Sequence, residues 1–392
     1  MPPITRENRV RIVVVGPSYR FSSGLSAYTY RLSHALADSV EVSVLLLRRL
    51  VPTSLYPGRS RVGDDLLFPR YSEFPVFDGI DWYWGASLLR GLRFIRAQRP
   101  DVVLLQWWTI GALHTYLVLA WVCKRRRLGV VIEFHELQDP AESTVRGAAW
   151  LNKQGLRLLV GLASAVVVHN RHDQRLIEES IPLRGVPVSI VPHGPYDHLA
   201  GPRNRVEPDR RRDSTEGKVT RLLFFGLIRR YKGLEDLIEA FSGLDTAEAQ
   251  QFELIVVGET WEGWTLPSKL VNESPHRQRI TFVNRYVTDP EVQEYFAAAD
   301  ALVLPYRRAS SSGPLSIGLA AGLPIVLYEV PALVDTLDGY EGAIVVGQGD
   351  VVALRNAIRS LPALAGRRFA PHGSWADITK AYREVLNSVA SS

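Results

Sequence analysis

The sequence of 392 residues is too long for one ordinary domain and comfortable for two. With 46% hydrophobic and 22% charged residues, a packed core is expected and general disorder is excluded. The single cysteine, Cys123, excludes an intrachain disulfide and a paired-cysteine metal site and fits a reducing compartment, while a net charge of +5 without a nucleic-acid signature gives no reason to expect a nucleic-acid partner.

Met1–Arg9 is polar and charged, unlike a signal peptide, and a cytoplasmic location is expected. Short apolar runs at Arg11–Val15, Val40–Leu47, Val102–Gln106, Val130–Phe134, Ala165–His169 and Val188–Val191 read as buried strands of a parallel sheet. A helix is predicted over Ser26–Leu36, with Leu25, Tyr28, Leu32 and Leu36 on one face. Val102–Cys123 is nearly all apolar and approaches the roughly 20 residues of a membrane span. Gln106, Thr109, Gly111 and His114 interrupt it, so it reads as a strand followed by a helix over Thr109–Lys124. The second half repeats the scheme, with strands at Arg221–Phe225, Phe252–Val257, Ile280–Val283, Ala301–Leu304, Ile325–Leu327 and Ala343–Val346. Leu234, Leu237, Ile238 and Phe241 mark a helix between the first two of these. Strands alternating with helices imply an α/β chain of two doubly wound parallel-sheet domains. The Pro-, Gly-, Arg- and Asp-rich stretch from Pro195 to Thr220 marks the join. The domains are placed at residues 1–197 and 220–366, with a linker at 198–219 and a C-terminal helix in 367–392.

Open α/β sheets bind ligands at the carboxyl ends of their strands. Four loops there carry suitable residues. Gly16–Gly24 precedes a helix N-terminus that favours an anion, and Gly24 allows close backbone approach; it is not a dinucleotide fingerprint, which argues against NAD chemistry. Gly226–Gly233 follows a strand and opens a helix. Its Arg229 can grip phosphate oxygens as a fork and its Lys232 as a point charge. Pro305–Ser316 contains Ser310, Ser311 and Ser312, with Ser312 as an N-cap and Pro314 in the first helical turn. The amides of Ser312, Gly313 and Leu315 are expected to face a diphosphate, though plain capping explains the same residues. Glu133–Pro140 places His135 and Glu136 at a strand end. No second histidine follows four residues on, and His169 and His172 show no third ligand, so no metal is expected. His193 closes the last strand of the first half.

At these residues the chain resembles glycosyltransferase family 4, of GT-B fold, over nearly its whole length. The resemblance is carried by Phe224–Leu234 with Leu237–Phe241, by Ala299–Tyr306, and by Gly322–Val326. Ser23-Gly24-Leu25, Phe134-His135-Glu136 and Ser374-Trp375 before a final helix are similar as well. The resemblance implies retaining transfer from a nucleotide sugar held between two Rossmann-like domains, without cofactor or metal. It implies that Arg229 and Lys232 hold the donor diphosphate, that the amides around Gly313 hold its distal phosphate, and that His135 sits beside the transferred sugar. Gly24, Gly226, Ser310, Ser311, Ser312 and Leu315 join the donor site, Tyr286 lies against the base, and Ser23, Glu136 and His193 are sugar or acceptor contacts. The final helix would cross back to the first domain. Many members carry paired glutamates in the third loop; here Ala309 and Ile317 stand at those places, as in a Ser-Gly branch of the family. A non-catalytic nucleotide-sugar-binding scaffold and a GT-B epimerase are the alternatives. Trp82, Trp84, Trp107, Trp108 and Trp121, with the basic run Lys124–Arg127, point to a lipid-linked acceptor and to peripheral contact with an anionic membrane, though core tryptophans and a solvated helix end would read the same; a sugar or small-molecule acceptor stays open.

Overall fold

A computed structural model describes residues 9–20, 24–49, 71, 73–136, 148–200, 219–260, 263–371 and 373–391. The chain divides into two compact units, Met1–Gly194 with Ser374–Ser392, and Pro195–Gly373.

The first unit is built on β1 (Arg11–Pro17), β2 (Glu41–Arg49), β3 (Val76–Asp81), β4 (Val102–Trp107), β5 (Gly129–Phe134), β6 (Ala165–Val168) and β7 (Val188–Ile190). Their order is β3-β2-β1-β4-β5-β6-β7, and every neighbouring pair is parallel. Helices α1 (Gly24–Ala37), α2 (Ala86–Gln98), α3 (Leu113–Arg125), α4 (Ala148–Leu162) and α5 (Arg171–Ser180) make the crossovers. Strand side chains alternate between two faces. Val103, Leu105, Val130, Ile132, Val166 and Val168 pack on one face, where α3 and α4 lie. Val102, Leu104, Val131, Ala165 and Val167 pack on the other. The apolar run Val102–Cys123 resolves into β4, a short 3-10 turn at Ile110–Ala112, and α3. Among the described residues no helix is long and apolar enough to cross a membrane.

The second unit holds β8 (Thr220–Phe225), β9 (Phe252–Val257), β10 (Ile280–Val283), β11 (Ala301–Leu304), β12 (Ile325–Tyr328) and β13 (Ala343–Val346). Their order is β10-β9-β8-β11-β12-β13, again all parallel. Its helices are α6 (Leu234–Ser242), α7 (Thr246–Ala249), α8 (Leu266–Glu273), α9 (Asp289–Ala298), α10 (Gly313–Ala321), α11 (Pro331–Leu337) and α12 (Val351–Ser360). In both units strand order reverses beside the first strand, which is where such sheets open a crevice.

The last helix, α13 (Trp375–Ala390), is capped by Ser374, whose hydroxyl accepts from the Asp377 amide. It packs on the first unit through Ile378, Tyr382, Leu386 and Val389, alongside α1. Each such apolar side chain, fully buried, contributes about 1.5–3 kcal/mol.

The unit boundaries differ slightly from the sequence-based placement. Tyr196–Leu199 belongs to the second unit, where Gln293 Nε2 donates to the His198 carbonyl at 2.7 Å. Residues 367–373 stay there too. The Phe369 amide bonds to Gly322 O at 2.8 Å, and Arg368 bonds to Ala299 O at 2.9 Å. Of the expected linker, residues 201–218 lie outside the described residues.

Candidate active site

Strands β5, β6 and β7 lie side by side, and each is followed by a histidine. Glu133 pairs in register with Val167, and Val168 with Ile190. Two steps beyond Glu133 and Val167 stand His135 and His169, so both rings arrive on the same face. His193 follows the end of β7 and completes the group. Nδ1 of His135 lies 3.1 Å from Nε2 of His169, whose Nδ1 faces the Val191 carbonyl at 2.9 Å. His193 Nδ1 faces the Gly194 carbonyl at 3.0 Å. One ligand atom from each ring lies within 4.8 Å of the others.

Beneath the rings sits Glu133, fully buried one residue before the end of β5. Its Oε1 is 3.2 Å from His135 Nε2 and 3.6 Å from His169 Nε2. Tyr382 of α13 donates to Oε1 at 2.5 Å, and Gln106 of β4 donates to Oε2 at 3.0 Å. Thr29 of α1 in turn donates to Gln106 Oε1 at 2.6 Å. Burial by itself raises a carboxyl's pKa, but His135, His169 and Tyr382 outweigh it and hold Glu133 well below the usual range. Burial, with His135 adding to it, lowers His169 to about 4, and His193 is lowered in the same way. Tyr28 closes the group, its ring centroid 4.2 Å from that of His193 and 4.8 Å from that of His135. The histidines could each offer a nitrogen to a metal. In this arrangement, however, the nitrogens named above face each other, two carbonyls and Glu133. The geometry suits a fixed proton arrangement.

In the second unit the loops after β8 and β11 flank the reversal of strand order. The β8 loop is held rigidly: Ile228 N bonds to Glu259 O at 2.9 Å, and Ile228 bridges to Thr260. Gly226 sits at φ 111°, and a side chain there would meet Lys232 Nζ at 3.1 Å and Pro314 at 3.3 Å. Gly233 sits at φ 61°, and a Cβ would lie 2.1 Å from the Pro305 carbonyl. Both positions therefore demand glycine for backbone conformation and close approach. Lys232 is 8% exposed, its Nζ 4.9 Å from the centre of the Tyr306 ring. Burial, reinforced by Arg229, brings its ammonium down to about 7. Among the described residues no carboxylate pairs with it. Arg307, by contrast, is tied to Glu235 at 2.7 Å and Asp236 at 2.6 Å.

Across from Lys232, α10 begins at Gly313, with Pro314 in its first turn. Ser312 caps it, accepting from the Leu315 amide at 3.2 Å. The Leu315 amide is thus engaged by the cap, and a phosphate would have to compete for it. Gly313, as the first helical residue, has no intrahelical acceptor for its amide. Tyr196 lies beside it, 3.9 Å from where a Gly313 Cβ would stand.

The structure thus brings Gly226, Lys232, Ser312 and Gly313 to one place in the second unit. Arg229 stands at the start of the same 3-10 turn that carries Lys232. Ser310 is half-buried and Ser311 exposed just before the cap. Tyr286, 40% exposed, follows edge strand β10, beside an Arg285–Glu291 ion pair. In the first unit, His135 and His193 meet, half-buried Glu136 follows His135, and exposed Gly24 opens α1. Ser23 lies outside the described residues. Sequence reasoning weighed His169 only as a metal ligand and missed Glu133, Tyr382 and Tyr196. A signal for His169 was present, since His135 and His169 directly close apolar strand runs and His193 follows another after Pro192. Of the paired-glutamate positions, Ile317 is buried in α10 and Ala309 is half-buried.

Comparison with known proteins agrees with this division. The family description "Glycosyl transferase 4-like domain" matches residues 23–194, and "Glycosyl transferases group 1" matches residues 219–363. A GDP-mannose:glycolipid 4-beta-D-mannosyltransferase of Xanthomonas campestris pv. campestris is 32% identical over 108 residues, 27% of this chain and 29% of that protein. Sucrose-phosphate synthase from Thermosynechococcus elongatus superposes with a TM-score of 0.66 at 18% identity, covering 97% of this chain and 95% of that one. HepE of Anabaena, solved in complex with UDP, does so with a TM-score of 0.65 at 15% identity, covering 97% and 100%. A glycosyltransferase domain description is thus matched in each unit, and the two parallel-sheet α/β units have the GT-B fold.

Proposed function

We propose that the protein transfers a sugar from a UDP- or GDP-linked donor to an acceptor, with retention of configuration at the anomeric carbon. The observation that carries this reading is Lys232: a buried ammonium without a described carboxylate partner, beside the N-terminus of α10 at the reversal of strand order. Such a place favours a diphosphate. HepE binds UDP and the Xanthomonas relative uses GDP-mannose, which supports both nucleotide classes as candidates.

In this reading Arg229 and Lys232 neutralise the leaving diphosphate. The Ser312 and Gly313 amides hold its distal phosphate, with Ser310 and Ser311 alongside. Gly24 and Gly226 permit close approach, and Tyr286 stacks on the base. His135, oriented by His169 and Glu133, acts on the transferred sugar, and His193 and Glu136 contact sugar or acceptor. The glycosidic C–O bond breaks with its electron pair going to the diphosphate. The acceptor oxygen bonds the same face of the carbon, and its proton passes to a phosphate oxygen. Catalysis is then charge stabilisation and exclusion of water. The cationic side chains serve in place of a metal ion, so a chelator should leave turnover intact. The acceptor is proposed to be a glycolipid, polysaccharide or glycoside precursor, met in the cytoplasm or at the inner face of the membrane. Incubation with UDP- and GDP-sugars and candidate acceptors, with the product's anomeric configuration read by NMR, tests the reading. A retained linkage supports it, and an inverted one overturns the mechanism. Tight donor binding with no turnover on any acceptor would favour a scaffold.

A further inference from the structure

The tryptophans divide sharply by environment. Trp107 is buried in the core, and Trp84 and Trp108 pack against it, but Trp121 on α3 is 49% exposed. Of the seven large apolar side chains most exposed among the described residues of the first unit, four lie on α3 and α4: Trp121, Trp150, Leu151 and Leu158. Apolar exposure that clusters in this way marks an interaction surface, whereas scattered single residues do not. The two helices pack closely at Gly155, where a Cβ would lie 2.2 Å from the Leu113 side chain. The space between them is a groove of about 530 Å³, lined by Leu117, Val118, Trp121, Leu158 and Leu162. Arg157 and Arg184 also line it. Lys124 Nζ donates to the Gly161 carbonyl at 2.9 Å, and the Arg125 guanidinium lies 4.7 Å from the centre of the Trp121 ring.

The charge pattern identifies the occupant. Neither α3 nor α4 contains a single Asp or Glu, although the chain has 41. Lys124, Arg125, Arg126, Arg127 and Lys153 are all exposed around this face, with Arg157 half-buried among them. A protein partner would need acidic and apolar groups in matched positions. A bilayer bearing anionic headgroups supplies both in layers: the apolar side chains enter, tryptophan settles at the boundary, and lysine and arginine stems reach back to phosphates. We infer that the α3–α4 face docks on an anionic phospholipid bilayer, with an acyl chain entering the groove and its phosphate meeting Arg157 or Arg184. This deepens the acceptor side of the reading above. Docking is measured without turnover, so its failure leaves the donor site standing.

The test is cosedimentation of the full chain with phosphatidylcholine vesicles, with and without phosphatidylglycerol. Binding is expected only to the mixed vesicles and should weaken as salt rises. Trp121→Glu with Leu158→Glu should weaken it at least about tenfold, since charge inserted in an apolar contact opposes entry. Both residues are exposed, and an unchanged melting temperature checks that the fold is kept. Arg157→Gln with Arg184→Gln should reduce the preference for phosphatidylglycerol. Absence of binding to mixed vesicles, equal binding to neutral ones, or undiminished binding of the doubly acidic variant would each overturn the inference. So would a stable dimer that the same substitutions dissolve, because the face would then be covered by a second copy.

Discussion

The two units share an architecture and use it in opposite ways. In the first, the strand ends carry a polar group whose members face each other: His169 faces a carbonyl and His135, and Glu133 accepts from Tyr382 and Gln106. In the second, a cation is buried at the sheet's reversal beside a helix N-terminus, with no described carboxylate partner. A network of mutual hydrogen bonds fixes geometry. An uncompensated buried charge costs stability until an anion arrives. In the proposed reading the first group positions and the second binds.

Substitutions should divide along the same line. The largest effect is expected at Lys232 and Arg229. Removing either cation should cost about 100-fold or more in turnover, by analogy with loss of a donor that stabilises developing negative charge. Yet Lys232→Met should melt higher than the parent, by roughly 1 kcal/mol, because a buried ammonium is removed. A lower melting temperature would show that Lys232 is already compensated. In the first unit the sign reverses. Tyr382→Phe takes a donor from a buried carboxylate and should lower stability by about 1–3 kcal/mol in urea melts. No loss would show that the short Tyr382–Glu133 contact is energetically idle.

Acid sharpens the contrast further. His169 is held near 4, against an ordinary value of 6.5. Between those values the unfolded chain takes up a proton that the folded chain refuses. Stability should therefore be complete above pH 6.5 and fall as pH drops toward 4, with His193 acting in the same direction. Denaturant melts across that interval check the slope, and a flat profile would mean that the rings are protonated in the fold. The smallest effect concerns Lys232, whose ammonium loses its proton near 7. A bound diphosphate favours the charged form, so at roughly one pH unit above that value binding should take up a proton. Calorimetry in buffers of different ionisation enthalpy reads this directly.

Much of the fold was legible because parallel strands buried on both faces are continuous apolar runs. β3 was not, since Val76–Asp81 carries Asp78, Gly79 and Asp81 and sits at the sheet edge. The β8 and β11 loops could be found because glycine, cation and cap lie close together along the chain. The histidine group could not be assembled in the same way. Its members come from separate strands, and only strand order and register bring them together. The contact between Glu133 and Tyr382 spans 249 residues, beyond the reach of any local pattern. Tyr196 was missed because a Pro-rich join read as the end of a domain, whereas its turn packs against the second unit.

Lys232 is proposed as the cation that a nucleotide diphosphate compensates. The most direct measurement is thermal stability of the parent chain and of Lys232→Ala with UDP and with GDP. At about 100 times its dissociation constant, the right nucleotide should stabilise the parent by roughly 2.7 kcal/mol, and the variant should show little of that gain. An equal gain in both proteins, or none in the parent with either nucleotide, would contradict the account.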